Sequence, residues 1–187
     1  MTPDEFEALL EGAEETDTLE FKAAMSWNAL ALAKDILALT NTVDGGRIVI
    51  GVEDETLARQ GLNPEQIATY VPDIMRDQIR QFADPSVTFS VEEVQDRGGL
   101  SFVVISVATF PELPVLSARD AAGITKATIY YRSKAGRPAS APVSNSNDLR
   151  LIIETAVARR LRTLRQVGIV QNNDDQNRFD EELGDLV

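Results

Sequence analysis

Thr40-Asn41-Thr42-Val43-Asp44-Gly45-Gly46-Arg47-Ile48-Val49-Ile50-Gly51-Val52-Glu53-Asp54 joins a helix end, a glycine turn and a buried strand. Upstream of it, Ala29, Leu30, Ala33, Ile36, Leu37 and Thr40 share one broad helical face, widened by Leu32 and Leu39. The spacing predicts a core helix over residues 26–42 with Ser26 as its cap. Asp44-Gly45-Gly46 ends that helix, because glycine enters the left-handed backbone region a tight turn requires. Residues 47–53 are then almost continuously apolar, the pattern of a strand covered on both faces. Gly51 inside that strand predicts the close approach of another backbone or of a ligand.

Working outward, Thr2-Pro3-Asp4-Glu5 is a helix start, with Thr2 and Glu5 as a capping box and Pro3 in the first turn. That helix runs to about Leu10. Residues 13–17 form a polar loop, and Thr18-Leu19-Glu20-Phe21-Lys22 alternates as a strand. Leu19 and Phe21 take one face, Glu20 and Lys22 the other. Downstream, Asn63-Pro64 starts a helix predicted to reach about Phe82. Strands follow over 87–94 and 100–108, joined at Asp96-Arg97-Gly98-Gly99. A short strand over 115–117, a strand over 126–132, a loop over 133–144 and a helix over 146–167 complete the body. The expected fold class is a mixed α/β (α+β) domain with parallel and antiparallel pairing. It occupies residues 1–167, and residues 168–187 form a tail whose high charge and few apolar residues match disorder.

The chain has 187 residues and a formal net charge of −12, with no cysteine and no histidine. Catalysis by Ser-His-Asp or Cys-His sets is therefore excluded, and so is any His-ligated metal. A bound metal would take oxygen ligands, which favours magnesium, manganese or calcium. The charge is unevenly placed. Residues 1–20 carry eight acids and no base, and residues 168–187 carry six acids against Arg178. The stretch between them has 17 bases and 16 acids, so composition neither favours nor forbids a polyanion partner. No apolar run approaches membrane-span length, and the acidic N-terminus lacks the pattern of a signal peptide. A cytoplasmic location is the expectation.

Three groups of residues, in this order, carry a resemblance. They are Glu15-x4-Glu20-Phe21-Lys22; then Thr40-Asn41-Thr42-x2-Gly45-Gly46-x-Ile48-Val49-Ile50-Gly51-Val52-x-Asp54; then Ile129-Tyr130-Tyr131-Arg132-x3-Gly136-Arg137-Pro138-Ala139-Ser140. Over about residues 12–160 the chain resembles the AlbA_2 domain of Schlafen-related proteins. The resemblance implies an α/β sandwich described as nucleic-acid-binding, some bacterial members being regulators or defence proteins. In animal Schlafens the related core is an endoribonuclease acting on tRNA and rRNA through an acidic triad. Carried over, that triad is Glu15, Glu20 and Asp54, with Lys22 beside it. This chain has one copy of the core where the animal proteins have two.

The chemistry fits those residue types. A magnesium or manganese ion held by Glu15, Glu20 and Asp54 would activate a nucleophile and relieve charge on a phosphodiester. Lys22 would stabilise the charge that develops. The competing reading makes Glu15 part of a solvated acidic run and Glu20–Lys22 an ion pair on an exposed sheet face. Tyr131, Arg132, Lys134 and Arg137 interleave rings and bases, as backbone contact and base stacking require. Tyr130 and Tyr131 point to opposite faces, so one is expected in the core and the other available. A nucleotide-binding role ranks lowest, because no Gly-x4-Gly-Lys-Ser/Thr occurs and Gly45-Gly46 follow a helix instead of preceding one. The leading expectation is a divalent-metal-dependent endoribonuclease on structured, tRNA-like RNA. The alternative is a non-catalytic DNA- or RNA-binding module. A two-fold homodimer, formed through the last helix with Arg160 in its apolar stripe, would supply a second core.

Overall fold

The structure, a computed structural model, describes residues 1–10, 16–133 and 138–169. In chain order the elements are α1 (Pro3–Leu10), β1 (Leu19–Lys22), α2 (Ala29–Thr40), β2 (Gly46–Ile50), α3 (Pro64–Ile67) and α4 (Pro72–Ile79). They continue as β3 (Ala83–Asp84), β4 (Phe89–Gln95), β5 (Ser101–Val107), β6 (Leu116–Ser117), β7 (Tyr130–Arg132), β8 (Ser140–Pro142) and α5 (Ser146–Gln166).

The central sheet has the order β1-β2-β5-β4. β1 runs parallel to β2, with Glu20 opposite Ile48 and Lys22 opposite Ile50. β5 is antiparallel to both β2 and β4. The mixed α/β class is thus borne out, with both kinds of pairing in one sheet. β3 pairs with β6 and β7 with β8 in two small separate ribbons.

The sheet is covered on both faces. Phe21, Val49, Phe102 and Val104 pack with Phe6 of α1 on one side. Ile48, Ile50, Val103 and Ile105 pack with α2, α4 and the two tyrosines of β7 on the other. Ile48, Val49 and Ile50 are all buried, as their unbroken apolar run predicts.

The turn into β2 shows why glycine stands there. A Cβ on Gly45, at φ +74°, would sit 2.2 Å from the Val107 carbonyl oxygen. Gly51, at φ +108°, accepts backbone hydrogen bonds from Gln60 and Gly61. The close approach predicted at Gly51 is to backbone and to the Leu62 and Phe102 side chains, whose carbons lie 2.8 and 2.9 Å from an ideal Cβ.

Several boundaries differ from those predicted. The expected helix over 63–82 is two helices, because Pro72 has no N–H to continue the first and its ring favours a new start. α2 is capped by Asn28, whose side chain accepts from the Ala31 N–H, and not by Ser26. Asn145 caps α5 in the same way. Residues 133–144 are not all loop. β8 pairs Ser140 with Arg132 and places Pro142 opposite Tyr130 on an edge strand, the place where a sheet tolerates proline. The capping box at Thr2 and Glu5 forms as predicted, with bonds of 2.7 and 3.2 Å. The tail expected to be loose lies outside the described residues from 170 onward.

Candidate functional site

β1 ends against β2, and the residues just past β2 turn across its end. This brings Glu20, Lys22 and Asp54 to one cavity of about 390 Å³, open to solvent. Lys34 and Asp35 of α2, Glu55, Arg132 of β7 and residues 138–140 complete its lining. Glu15, Lys134 and Arg137 lie outside the described residues.

Glu20 is the centre of the cluster. The alternation of β1 turns it away from Phe21, but α2 and β7 cover that side as well, and Glu20 is only 5% exposed. The exposed ion pair entertained for Glu20 and Lys22 is therefore corrected to a partly buried one, with Glu20 inside and Lys22 at the cavity edge. The Glu20 carboxylate accepts from Lys22 Nζ on one oxygen and from Arg132 Nη1 on the other. Lys22 Nζ also lies 3.1 Å from Asp35 Oδ2. The result is an alternating row of charges, Asp35, Lys22, Glu20 and Arg132, running from α2 through β1 to β7. Burial pulls the Lys22 ammonium toward neutrality, but Asp35 and Glu20 outweigh it and hold its pKa above the ordinary lysine value.

Arg132 has no exposed surface. Its Nη2 donates to the carbonyl oxygens of Thr16 and Leu19 at 3.0 and 3.3 Å, and Nε donates to Thr16 at 3.2 Å. Nη1 also lies 3.3 Å from Ser140 Oγ. This guanidinium ties β1 to the β7–β8 ribbon. A side chain with no accessible surface does not reach a phosphate, which corrects its expected role as a nucleic-acid contact. The tyrosine expectation is corrected too. Tyr130 and Tyr131 are both buried, because β7 is packed on each of its faces. Tyr131 is 4% exposed, and burial with Asp148 and Asp17 nearby raises its phenol pKa.

The donor set bears on the metal. Among the described residues no three ligating side chains converge. Both oxygens of Glu20 are already held by cations. The described residues therefore do not form a cage for a divalent ion, although Glu20 and Asp54 line one cavity.

Sequence reasoning missed Asp35 and Lys34. Asp35 is 5% exposed, three residues after Leu32 and four before Leu39, both fully buried. An acid on the apolar face of a helix must find a cation, and that was the available signal. Asn41 is a second buried anchor. Its Nδ2 donates to the carbonyl oxygens of Leu37, Val115 and Tyr130 at 3.1, 2.8 and 3.0 Å. Its Oδ1 accepts from the Val115 N–H at 2.8 Å. The end of α2 is thereby fastened to β7, which helps hold Arg132 over Glu20.

The model of the family described as Schlafen, AlbA_2 matches residues 15–138, and the chain belongs to that family. Membership places it among nucleic-acid-related domains. Among solved structures, the DIP2311 protein from Corynebacterium diphtheriae is 20% identical, with a TM-score of 0.51. The match covers 79% of this chain and 27% of that one, so this chain spans about a quarter of that protein's length. The N-terminal domain of a RecG-related protein from Nitrosomonas europaea is 17% identical, covering 78% of this chain and 90% of that one at a TM-score of 0.43. The likeness to DIP2311 is one of fold. No curated protein matches the chain. No described helix is long and apolar enough to cross a membrane.

Proposed function

We propose that this chain is a nucleic-acid-binding module that engages RNA in preference to DNA at the cavity between β1, α2 and the β7–β8 ribbon. The observation that carries this reading is the convergence of Glu20, Lys22, Lys34 and Asp54 on one open cavity. The row from Asp35 to Arg132 gives that cavity a fixed, internally neutralised wall. Fixed polar groups bind a charged ligand without reorganising when it arrives. Direct binding of a fluorescent single-stranded RNA and its DNA counterpart, titrated at several salt concentrations, tests the reading. Salt-dependent binding with RNA the tighter ligand is expected. No binding to either at low salt overturns it.

The sharper reading is an endoribonuclease using Glu20, Asp54 and Lys22, with Glu15 as a third carboxylate and magnesium or manganese as cofactor. What favours it is that two of its three carboxylates and its lysine share one cavity. The described residues do not cage a metal, so cleavage without added metal is as informative as cleavage with it. Incubation of the chain with tRNA, with magnesium, with manganese or with chelator, decides the matter. Intact tRNA under all three conditions leaves the binding module as the function.

A further inference from the structure

Lys34 is the one cation lining the cavity, among the described residues, that has no acidic partner. Arg132 is buried against Glu20. Lys22 is shared by Glu20 and Asp35. Those four side chains carry two positive and two negative charges and so cancel locally. Lys34 is half-buried on the same wall, next to Asp35 in sequence, and among the described residues no hydrogen bond or ion pair involves its ammonium. It is also the only basic residue of α2, whose neighbouring positions are mostly apolar and buried. Holding a half-dehydrated ammonium there without an anion is unfavourable, and a bound anion reverses that.

The remaining charges of the cavity select the anion. Asp54 and Glu55 line it as well. Their carboxylates oppose a ligand carrying several charges. Glu55, exposed at the cavity, can accept a hydrogen bond from a neutral donor such as a sugar hydroxyl. One phosphodiester group with its adjoining sugar satisfies both ends, and a triphosphate does not. A volume of about 390 Å³ lies within the range of small-ligand sites.

We propose that Lys34 is the phosphate-contacting residue of this cavity and takes a single phosphodiester group of a bound strand. This deepens the nucleic-acid reading and rests on it. One lysine–phosphate contact on a single strand contributes a salt slope of about 0.7, equivalent to about fivefold in affinity at 0.1 M salt.

The test compares wild type, Lys34→Ala and Lys126→Ala, an exposed lysine outside the cavity, on a single-stranded RNA across a salt series. Circular dichroism melting confirms that each variant is folded. Lys34→Ala is expected to bind about fivefold more weakly at 0.1 M salt, with the slope reduced by about 0.7, and Lys126→Ala to match wild type. Wild-type affinity and slope in folded Lys34→Ala overturn the proposal. A parallel titration with inorganic phosphate, read on the lysine Nζ signals by NMR, separates it from the broader reading. If no oligonucleotide binds but phosphate shifts Lys34, the anion site stands and the nucleic-acid reading fails. If neither binds, both fail. ATP is expected to bind more weakly than the oligonucleotide, and tighter ATP binding also overturns the choice of ligand.

Discussion

Arg132, with no exposed surface, donates to the carboxylate of Glu20 from 112 residues further along the chain. The same guanidinium reaches the Thr16 and Leu19 carbonyls, so one side chain closes β7 onto β1. A residue that looks like a phosphate contact in the sequence is a structural clamp, and the expected catalytic acid is the group it clamps.

Breaking that clamp leaves a buried charge unpaired. Arg132→Ala is expected to lower stability by about 3–5 kcal/mol. Arg132→Lys should recover little, because an ammonium cannot span Glu20, Thr16 and Leu19 with the geometry of a planar fork. Urea unfolding followed by fluorescence measures both, and a loss under about 1 kcal/mol for Arg132→Ala would contradict a buried pair.

Asn41 offers a second test that does not depend on charge. Asn41→Ala removes four hydrogen bonds at a buried site and is expected to cost roughly 2–4 kcal/mol. Asn41→Asp is worse near neutral pH, since a carboxylate would face three carbonyl oxygens. Its folded pKa is therefore raised, so the variant's deficit shrinks as pH falls through that value and a donor proton returns. Thermal melts of the two variants at pH 5 and pH 8 check the direction.

The role of Glu20 changes how nuclease activity must be tested. Glu20→Ala leaves Arg132 and Lys22 without their shared carboxylate, so loss of cleavage there does not separate chemistry from folding. Asp54 is half-buried and lines the same cavity. If the endoribonuclease reading holds, Asp54→Asn should abolish tRNA cleavage at temperatures where circular dichroism shows the variant folded. Full cleavage by a folded Asp54→Asn variant removes Asp54 from the chemistry.

α5 bears on assembly. Only Ile152 and Ala156 along it are buried, whereas Leu149, Ile153, Val157 and Leu161 stand exposed at four-residue spacing. Arg160, expected in the apolar stripe of a dimer interface, pairs instead with Glu112 of its own chain. We propose that the apolar ridge itself joins two copies, since ridges at this spacing interdigitate in the commonest class of helix packing. Light scattering at micromolar concentration should report a mass near that of two chains, falling to one for Ile153→Asp with Val157→Asp. A wild-type monomer at that concentration ends the dimer proposal.

Much of this was legible in the chain. The unbroken run Ile48-Val49-Ile50 announced a strand covered on both faces. The alternation of Leu19, Glu20, Phe21 and Lys22 assigned each side chain its face of β1, and both assignments hold. The run through Thr40, Asn41, Gly45 and Gly46 fixed a turn whose glycines no other residue could replace without meeting backbone. These features depend on neighbours within a few positions, where periodicity and turn chemistry act directly.

What the sequence could not settle is what lies opposite each face. Alternation turns Glu20 away from Phe21 but says nothing of α2 and β7 closing over it. Tyr130 and Tyr131 point to opposite sides of β7, and only the packing on both sides buries the two together. Asp35 acquires its meaning from Lys22, thirteen residues earlier and in another element, and Arg132 acquires its meaning from Glu20. A charged side chain is a ligand contact when it faces solvent and a clamp when a partner excludes water from it. That distinction is one of burial and distance, which the folded chain alone decides.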